Sequence, residues 1–415
     1  MKNLKITIVI LSVLIISCNM NDKKKQMNKE QENVTLDFPI KYSDELNAKL
    51  KESFWKCNDD SKSDSSLHYY LEIPNNVKPT NLTEKNIAGI DTIKEIASYR
   101  RIDDTPYIEV QVVYQPLKHE INPSDWLYNL LDITKETIID KREIKGDAGI
   151  YLDALSIKEF PNGEKVVSRS TAQKNYDPAT KTLNIVSVKV SCSLKDYPNL
   201  SEEIMAIATG WNFINKSNYQ LGEDLKRLDT KKKNNLSFYF PNSWNGGKFI
   251  PKDGNPERVA IFNKNDNKET KGAINIFISE LKETKEKLYN QITERFTSND
   301  ITLNLSELEK NSQFSANNYY NEHWQSIGTI IDKSKNFQGS IRISIVKTVD
   351  ELILIELVGP NKVQDYYNAA RNNRAFDLLL QTLQTSEKIT SFAEDEDINE
   401  EKIEGKKGFF NKLFS

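Results

Sequence analysis

The chain has 415 residues, 57 Lys+Arg against 60 Asp+Glu for a formal charge of −3, and 17 Phe, 17 Tyr and 5 Trp. At roughly 150 residues per domain this length carries two to three domains, and the aromatics suffice to build cores. The balanced charge disfavours wrapping of nucleic acid, and three His with three Cys are too few for zinc ribbons, haem arrays or multi-His metalloenzymes.

At the N-terminus, Lys2 and Lys5 precede an apolar run from Ile6 to Ile16. The run has the length of a secretory signal core and is too short for an ordinary membrane span. It ends in Ile15-Ile16-Ser17-Cys18, which resembles a bacterial lipobox. That resemblance implies cleavage between Ser17 and Cys18 and a diacylglyceryl thioether on Cys18, so the first partner is a lipid bilayer. Loss of residues 1–17, which hold two lysines and no acid, takes the formal charge to −5. Asn19 lacks the acid that marks inner-membrane retention in enteric bacteria, which favours the outer membrane; its periplasmic and surface faces both stay open. The Lys/Asn/Ile-rich composition resembles that of Bacteroidota proteins. Cys57 and Cys192 remain after processing, either as one disulfide or as two buried thiols.

Residues 19–36 carry no apolar pattern and read as a solvated tether. Residues 43–56 predict a short helix capped by Ser43, with Leu46, Leu50 and Phe54 on one face. Two similar blocks follow. Each opens with a strand stopped by Pro-Asn, at Tyr69–Val77 and Leu236–Trp244, because proline has no N–H for the ladder. Each continues with an alternating strand, Tyr107–Tyr114 and Ala273–Ile278, and then a helix bearing Leu-Tyr-Asn at 127–129 and 288–290. Two or three long strands come next: Ala154–Phe160, Lys165–Ala172 and Leu183–Leu194 in the first block, and Tyr319–Ile331, Gly339–Val346 and Leu352–Val358 in the second. Amphipathic helices close the blocks at Ser201–Phe213 and Arg374–Lys388. Ile73 and Phe240 lie 167 residues apart and the Leu-Tyr-Asn triplets 161 apart, the mark of a tandem duplication.

This order predicts an α+β fold, with two tandem antiparallel-sheet domains and helices packed on each sheet. Tyr239-Phe240-Pro241-Asn242-Ser243-Trp244 resembles the opening strand of the PsbP/DcrB-like superfamily, and the resemblance covers 236–390. The first block keeps Ile-Pro-Asn-Asn but has Val77 where the Trp would fall. The resemblance implies an α/β/α sandwich and a non-enzymatic assembly, adaptor or chaperone role, including chaperones of secretion effectors, with no catalytic residues to carry over. The expected organisation is a signal peptide (1–17), the lipidated Cys and a flexible tether (18–42), a helix and loop (43–66), a first domain (67–215), a linker (216–235), a second domain (236–390), and an acidic segment with a basic aromatic tail (391–415). In the tail, Phe409, Phe410, Leu413 and Phe414 would share one helical face, and they are the candidate partner-binding residues.

Evidence for chemistry is thin. His68, His119 and His323 stand outside any G-x-S-x-G, H-E-x-x-H or Cys-His pattern and read as ordinary histidines. Asn245-Gly246-Gly247-Lys248 lacks the phosphate-loop spacing and reads as a turn. No catalytic, cofactor-binding or metal residue is assigned, no cofactor is expected, and nucleic acid is not an expected partner. The expectation is a membrane-anchored, non-catalytic binding or assembly module for an envelope or secreted protein. The alternative is an envelope hydrolase or glycan-binding lipoprotein whose site is built from scattered carboxylates.

Overall fold

The computed structural model describes residues 36–385, apart from 82–83, 102–105, 147–148, 178, 218–220, 230–235, 250–257, 266, 281–282, 312–318 and 335. In the first half the elements are α1 (Asp44–Ser53), β1 (Phe54–Asp59), β2 (Tyr69–Pro74), β3 (Val77–Pro79), β4 (Lys85–Ile87), β5 (Ile90–Arg101), β6 (Glu109–Leu117), α2 (Pro123–Ile133), β7 (Thr137–Gly146), β8 (Gly149–Glu159), β9 (Lys165–Asp177), β10 (Thr182–Ser193), α3 (Tyr197–Thr209) and β11 (Trp211–Phe213). The second half contributes β12 (Leu225–Asp229), β13 (Ser237–Pro241), β14 (Asn245–Phe249), β15 (Arg258–Lys264), β16 (Thr270–Glu280), α4 (Lys285–Thr297), β17 (Ile301–Leu305), β18 (Glu309–Lys310), β19 (Glu322–Asp332), β20 (Phe337–Lys347), β21 (Glu351–Pro360) and α5 (Tyr366–Thr382).

The strands form two eight-stranded antiparallel sheets. The first runs β3-β5-β6-β10-β9-β8-β7, with β4 beside β5; the second runs β14-β15-β16-β21-β20-β19-β17, with β18 beside β19. Matched position by position, the two orders are the same. Each half also has a small accessory sheet. In the first, β2 lies between β1 and β11; in the second, β13 pairs β12 and is bridged through Ser237 to Gln384. The fold class is therefore α+β, as the element order predicts.

Each sheet buries residues on both faces. In the first, Val110, Val112, Val186, Val188 and Val190 pack with Tyr69, Leu71, Ile204 and Ile207, while Val113, Ile185 and Ala172 pack with Trp126, Leu127 and Leu131 of α2. In the second, Ile274, Ile276, Ile353 and Ile355 meet Phe376, Leu379 and Leu380 of α5, and Ile341, Ile343 and Ile345 meet Leu288 and Ile292 of α4. Full burial on two faces gives β21 a continuous apolar run from Leu352 to Ile355, whereas β10 interleaves its valines with buried Ser187 and Ser191.

Several boundaries move. The helix predicted at 43–56 stops at Ser53, and Phe54 opens a strand that carries the buried Cys57. The helix predicted at Ser201–Phe213 spans Tyr197–Thr209, because Pro198 favours the first turn and Gly210 ends it; Trp211–Phe213 is a strand. The final helix starts at Tyr366, where the Asp365 side chain accepts from the Asn368 N–H, and ends at Thr382. The strand predicted from Tyr319 starts at Glu322. Asn245–Phe249 is an edge strand and not a turn. The predicted linker contributes β12 and a buried Leu221. Cys57 and Cys192 are both free buried thiols, so no disulfide joins them.

Candidate functional site

Strand alternation puts Arg169, Thr171 and Gln173 of β9 and Tyr151 and Asp153 of β8 on the face of the first sheet that α3 covers. The residues before α1 help cover it too. Leu36 is buried, the Tyr197 hydroxyl donates to the Asp37 carbonyl at 2.6 Å, and Arg169 donates to the Pro39 carbonyl at 2.7 Å while its guanidinium lies 4.3 Å from the Phe38 ring centre. The predicted tether of 18–42 is thus strapped to the sheet from Leu36 onwards.

Beyond the end of α3 the face stays open as a cleft of about 370 Å³, lined by Arg142, Ile144, Gly146, Tyr151, Leu152, Asp153, Thr171, Ala172, Gln173, Thr209, Trp211 and Lys216. Among the described residues Asp153 is its one carboxylate. Both of its oxygens accept from the wholly buried Arg169, at 2.8 and 2.7 Å, and one also accepts from Arg142 at 3.1 Å. Thr171 donates to the Ala208 carbonyl and lies 2.8 Å from the Trp211 indole N–H, Thr209 donates to the Met205 carbonyl, and the Gln173 amide donates to the Trp211 carbonyl. The cleft thus offers two cationic and two aromatic side chains among aliphatic and neutral polar ones, with no nucleophile–base pair among the described residues.

The three histidines lie apart from it. His68 contacts the Lys62 carbonyl at 2.7 Å and His119 sits 3.7 Å from Glu223. His323 is buried beside Ser344, and burial, reinforced by the positive charge of Arg342, pushes its pKa down to about 4. Among the described residues no cluster of His, Cys, Asp and Glu has a metal-binding arrangement, and no helix is long and apolar enough to cross a membrane. Asn75 and Asn242 play matching turn roles, their N–H groups donating to the Ser53 and Asp224 carbonyls. Ser17, Cys18, Phe409, Phe410, Leu413 and Phe414 lie outside the described residues.

Sequence reasoning missed the polar junction between the halves. Glu120, in the loop before α2, accepts from Lys174 of β9 at 2.5 Å, from Arg374 of α5 at 2.7 Å and from the Gly222 N–H at 2.5 Å; all three side chains are buried. Glu223 accepts from the Glu120 and Ser243 N–H groups, Lys362 pairs with Asp125 at 3.0 Å, and Ala370 packs into the cluster around α2. The isolated charges of Glu120, Lys174 and Arg374 carry no spacing signal in the sequence.

No family model and no curated protein sequence matches the chain. Among solved structures it is similar to cyanobacterial PsbP from Synechocystis (16% identity, 41% of this chain and 98% of that one, TM-score 0.28). It is also similar to LpqN of Mycobacterium tuberculosis, a protein involved in cell envelope biogenesis (8% identity, 42% and 98%, TM-score 0.27). A third similarity is to the type VI secretion immunity protein TplEi of Pseudomonas aeruginosa (11% identity, 78% and 95%, TM-score 0.21). Similarities of this size carry no argument about function.

Proposed function

We propose that the chain is an envelope lipoprotein, anchored through an acylated Cys18 to the outer membrane, whose two tandem PsbP/DcrB-like units bind or assemble a protein partner without transforming it. The observation that carries the binding reading is the cleft, where Asp153 is locked between two arginines and Arg142, Lys216, Tyr151 and Trp211 line the wall beside aliphatic and neutral polar residues. The lipobox supports the anchor. The strap adds a geometric consequence: with Leu36 fixed on the sheet, residues 19–35 can span at most about 60 Å, which holds Leu36 within about that distance of the bilayer. The aromatic face of Phe409, Phe410, Leu413 and Phe414 is a second contact for partner or membrane.

Membrane fractionation tests this reading. The wild-type chain is expected to float with membranes and to incorporate labelled palmitate, and Cys18→Ala is expected to do neither. A Cys18→Ala chain that still floats would refute the lipid anchor. Turnover of an envelope substrate that is abolished by Asp153→Asn would refute the non-catalytic reading.

A further inference from the structure

We infer that the cleft of the first sheet is a receptor for a carboxylate joined to an apolar group, the chemistry presented by the C-terminal residue of a peptide. The inference rests on the binding reading of this cleft and names what is bound. The hydrogen-bonding capacity of the lining points to it. The Thr171 and Thr209 hydroxyls and the Gln173 amide all donate to backbone carbonyls of α3 and its neighbour β11. Two donors remain less engaged, and both are cationic. The Arg142 guanidinium has one full hydrogen bond, to Asp153, and a long 3.5 Å contact to the Ile40 carbonyl; its Nε has no partner. Lys216 is exposed and makes no ion pair among the described residues.

Among the described residues Arg142 and Lys216 line the cleft with one carboxylate, Asp153, which is also paired with the buried Arg169, so cationic groups outnumber acids there. An anion supplies the missing counter-charge, and guanidinium–carboxylate bonds are among the stronger charge-assisted ones. The rest of the wall selects the kind of anion. Ile144, 43% exposed, with Tyr151 and Trp211, gives an apolar surface beside the cations. A doubly charged phosphate gains nothing from such a surface and has more hydration to shed, whereas a monoanion carrying an apolar side chain matches both parts. The volume of about 370 Å³ holds a group of residue size.

The test uses the full chain carrying Cys18→Ala, with its five tryptophans labelled with nitrogen-15. Trp211 lines the cleft, so its indole signal, assigned from a Trp211→Phe sample, reports binding there. The probes are N-acetylphenylalanine, its uncharged carboxamide and inorganic phosphate. N-acetylphenylalanine is expected to move the Trp211 signal selectively and to bind at least tenfold tighter than the carboxamide. Lys216→Gln, at an exposed position, is expected to weaken binding at least threefold, and Arg142→Gln at least tenfold. An unmoved Trp211 signal, equal affinity for acid and carboxamide, a phosphate response as strong as that of the acid, or undiminished binding by Lys216→Gln would each overturn the proposal. None of these readouts depends on a membrane, so a failed lipid anchor and a failed carboxylate receptor are separate results.

Discussion

His323 shows what burial does to a single imidazole. Its ring sits on β19 against Ser344 with only 3% of its surface exposed, and its pKa lies at about 4, displaced by burial first and Arg342 second. The unfolded chain therefore takes up this proton before the folded one. The His323 contribution to stability is complete above about pH 6.5, declines as the pH falls, and stops changing below about pH 4. Over that window the loss is on the order of 3 kcal/mol, and His323→Gln should flatten that part of the profile. Urea midpoints at pH 7, 5.5 and 4 check this; an unchanged slope in the variant would refute the assignment. Burial also explains the cysteines. It raises the Cys57 thiol above its ordinary range and, together with Asp196, takes Cys192 to about 12, so neither is primed as a thiolate at neutral pH.

Helix and strand placement shows where periodicity succeeds and where it fails. The apolar strands β6, β10, β16 and β21 and the Leu-Tyr-Asn helices follow from alternation and helical spacing. β5 escapes because a bulge between Glu95 and Ala97 breaks its alternation, and β7 escapes because an edge strand written TIIDKREIKG carries charges that keep other chains from pairing with it. The central strands carry an inversion that no single-copy pattern reveals. Lys189, beside Gln111, pairs with Glu136 after α2, whereas Glu356, beside Asn275, pairs with Arg295 of α4. Burial alone would raise the Glu136 carboxyl, but Lys189, Ser156 and Thr134 together hold it below the usual carboxylate range. α5 meets its sheet where Asn372 donates to the Lys271 carbonyl and accepts from Asn263, directly over Gly272. A Cβ at Gly272 would collide with the Asn372 amide. Gly272→Ala is expected to cost about 1–3 kcal/mol, read from the denaturation midpoint, with Asn372→Ala reducing the penalty in the double variant.

The two halves are joined by buried charge as well as by packed side chains. Glu120 faces Lys174 from its own half and Arg374 from the other, and burial, only partly offset by Glu120, pulls Lys174 down to about 8. Removing the single anion leaves two cations in the interior. Glu120→Gln, which keeps the shape, should destabilise the chain by about 3–5 kcal/mol, while Lys347→Gln at a part-exposed pair should change it by less than about 1 kcal/mol. Calorimetry decides between a shared core and independent halves: wild type should melt in one transition, and the Glu120→Gln chain earlier and in two. At the far end of the chain, deletion of residues 405–415 is expected to leave the melting temperature within about 2 °C of wild type, as for a change outside the packed cores, while weakening partner capture. A large fall in melting temperature would make the tail part of a core.

Local patterns were enough to predict an α+β chain with two copies of one strand order, because apolar periodicity and Pro-Asn stops are properties of neighbouring residues. The resemblance of Ile15-Ile16-Ser17-Cys18 to a lipobox is legible for the same reason, being contiguous. The cleft, the strap and the Glu120 junction were decided by folding alone. They bring Pro39 to Arg169 and Glu120 to Arg374 across long stretches of chain and set Arg142 opposite Asp153 across the β7–β8 hairpin, and such charges acquire meaning only when burial strips their water and leaves one another as partners.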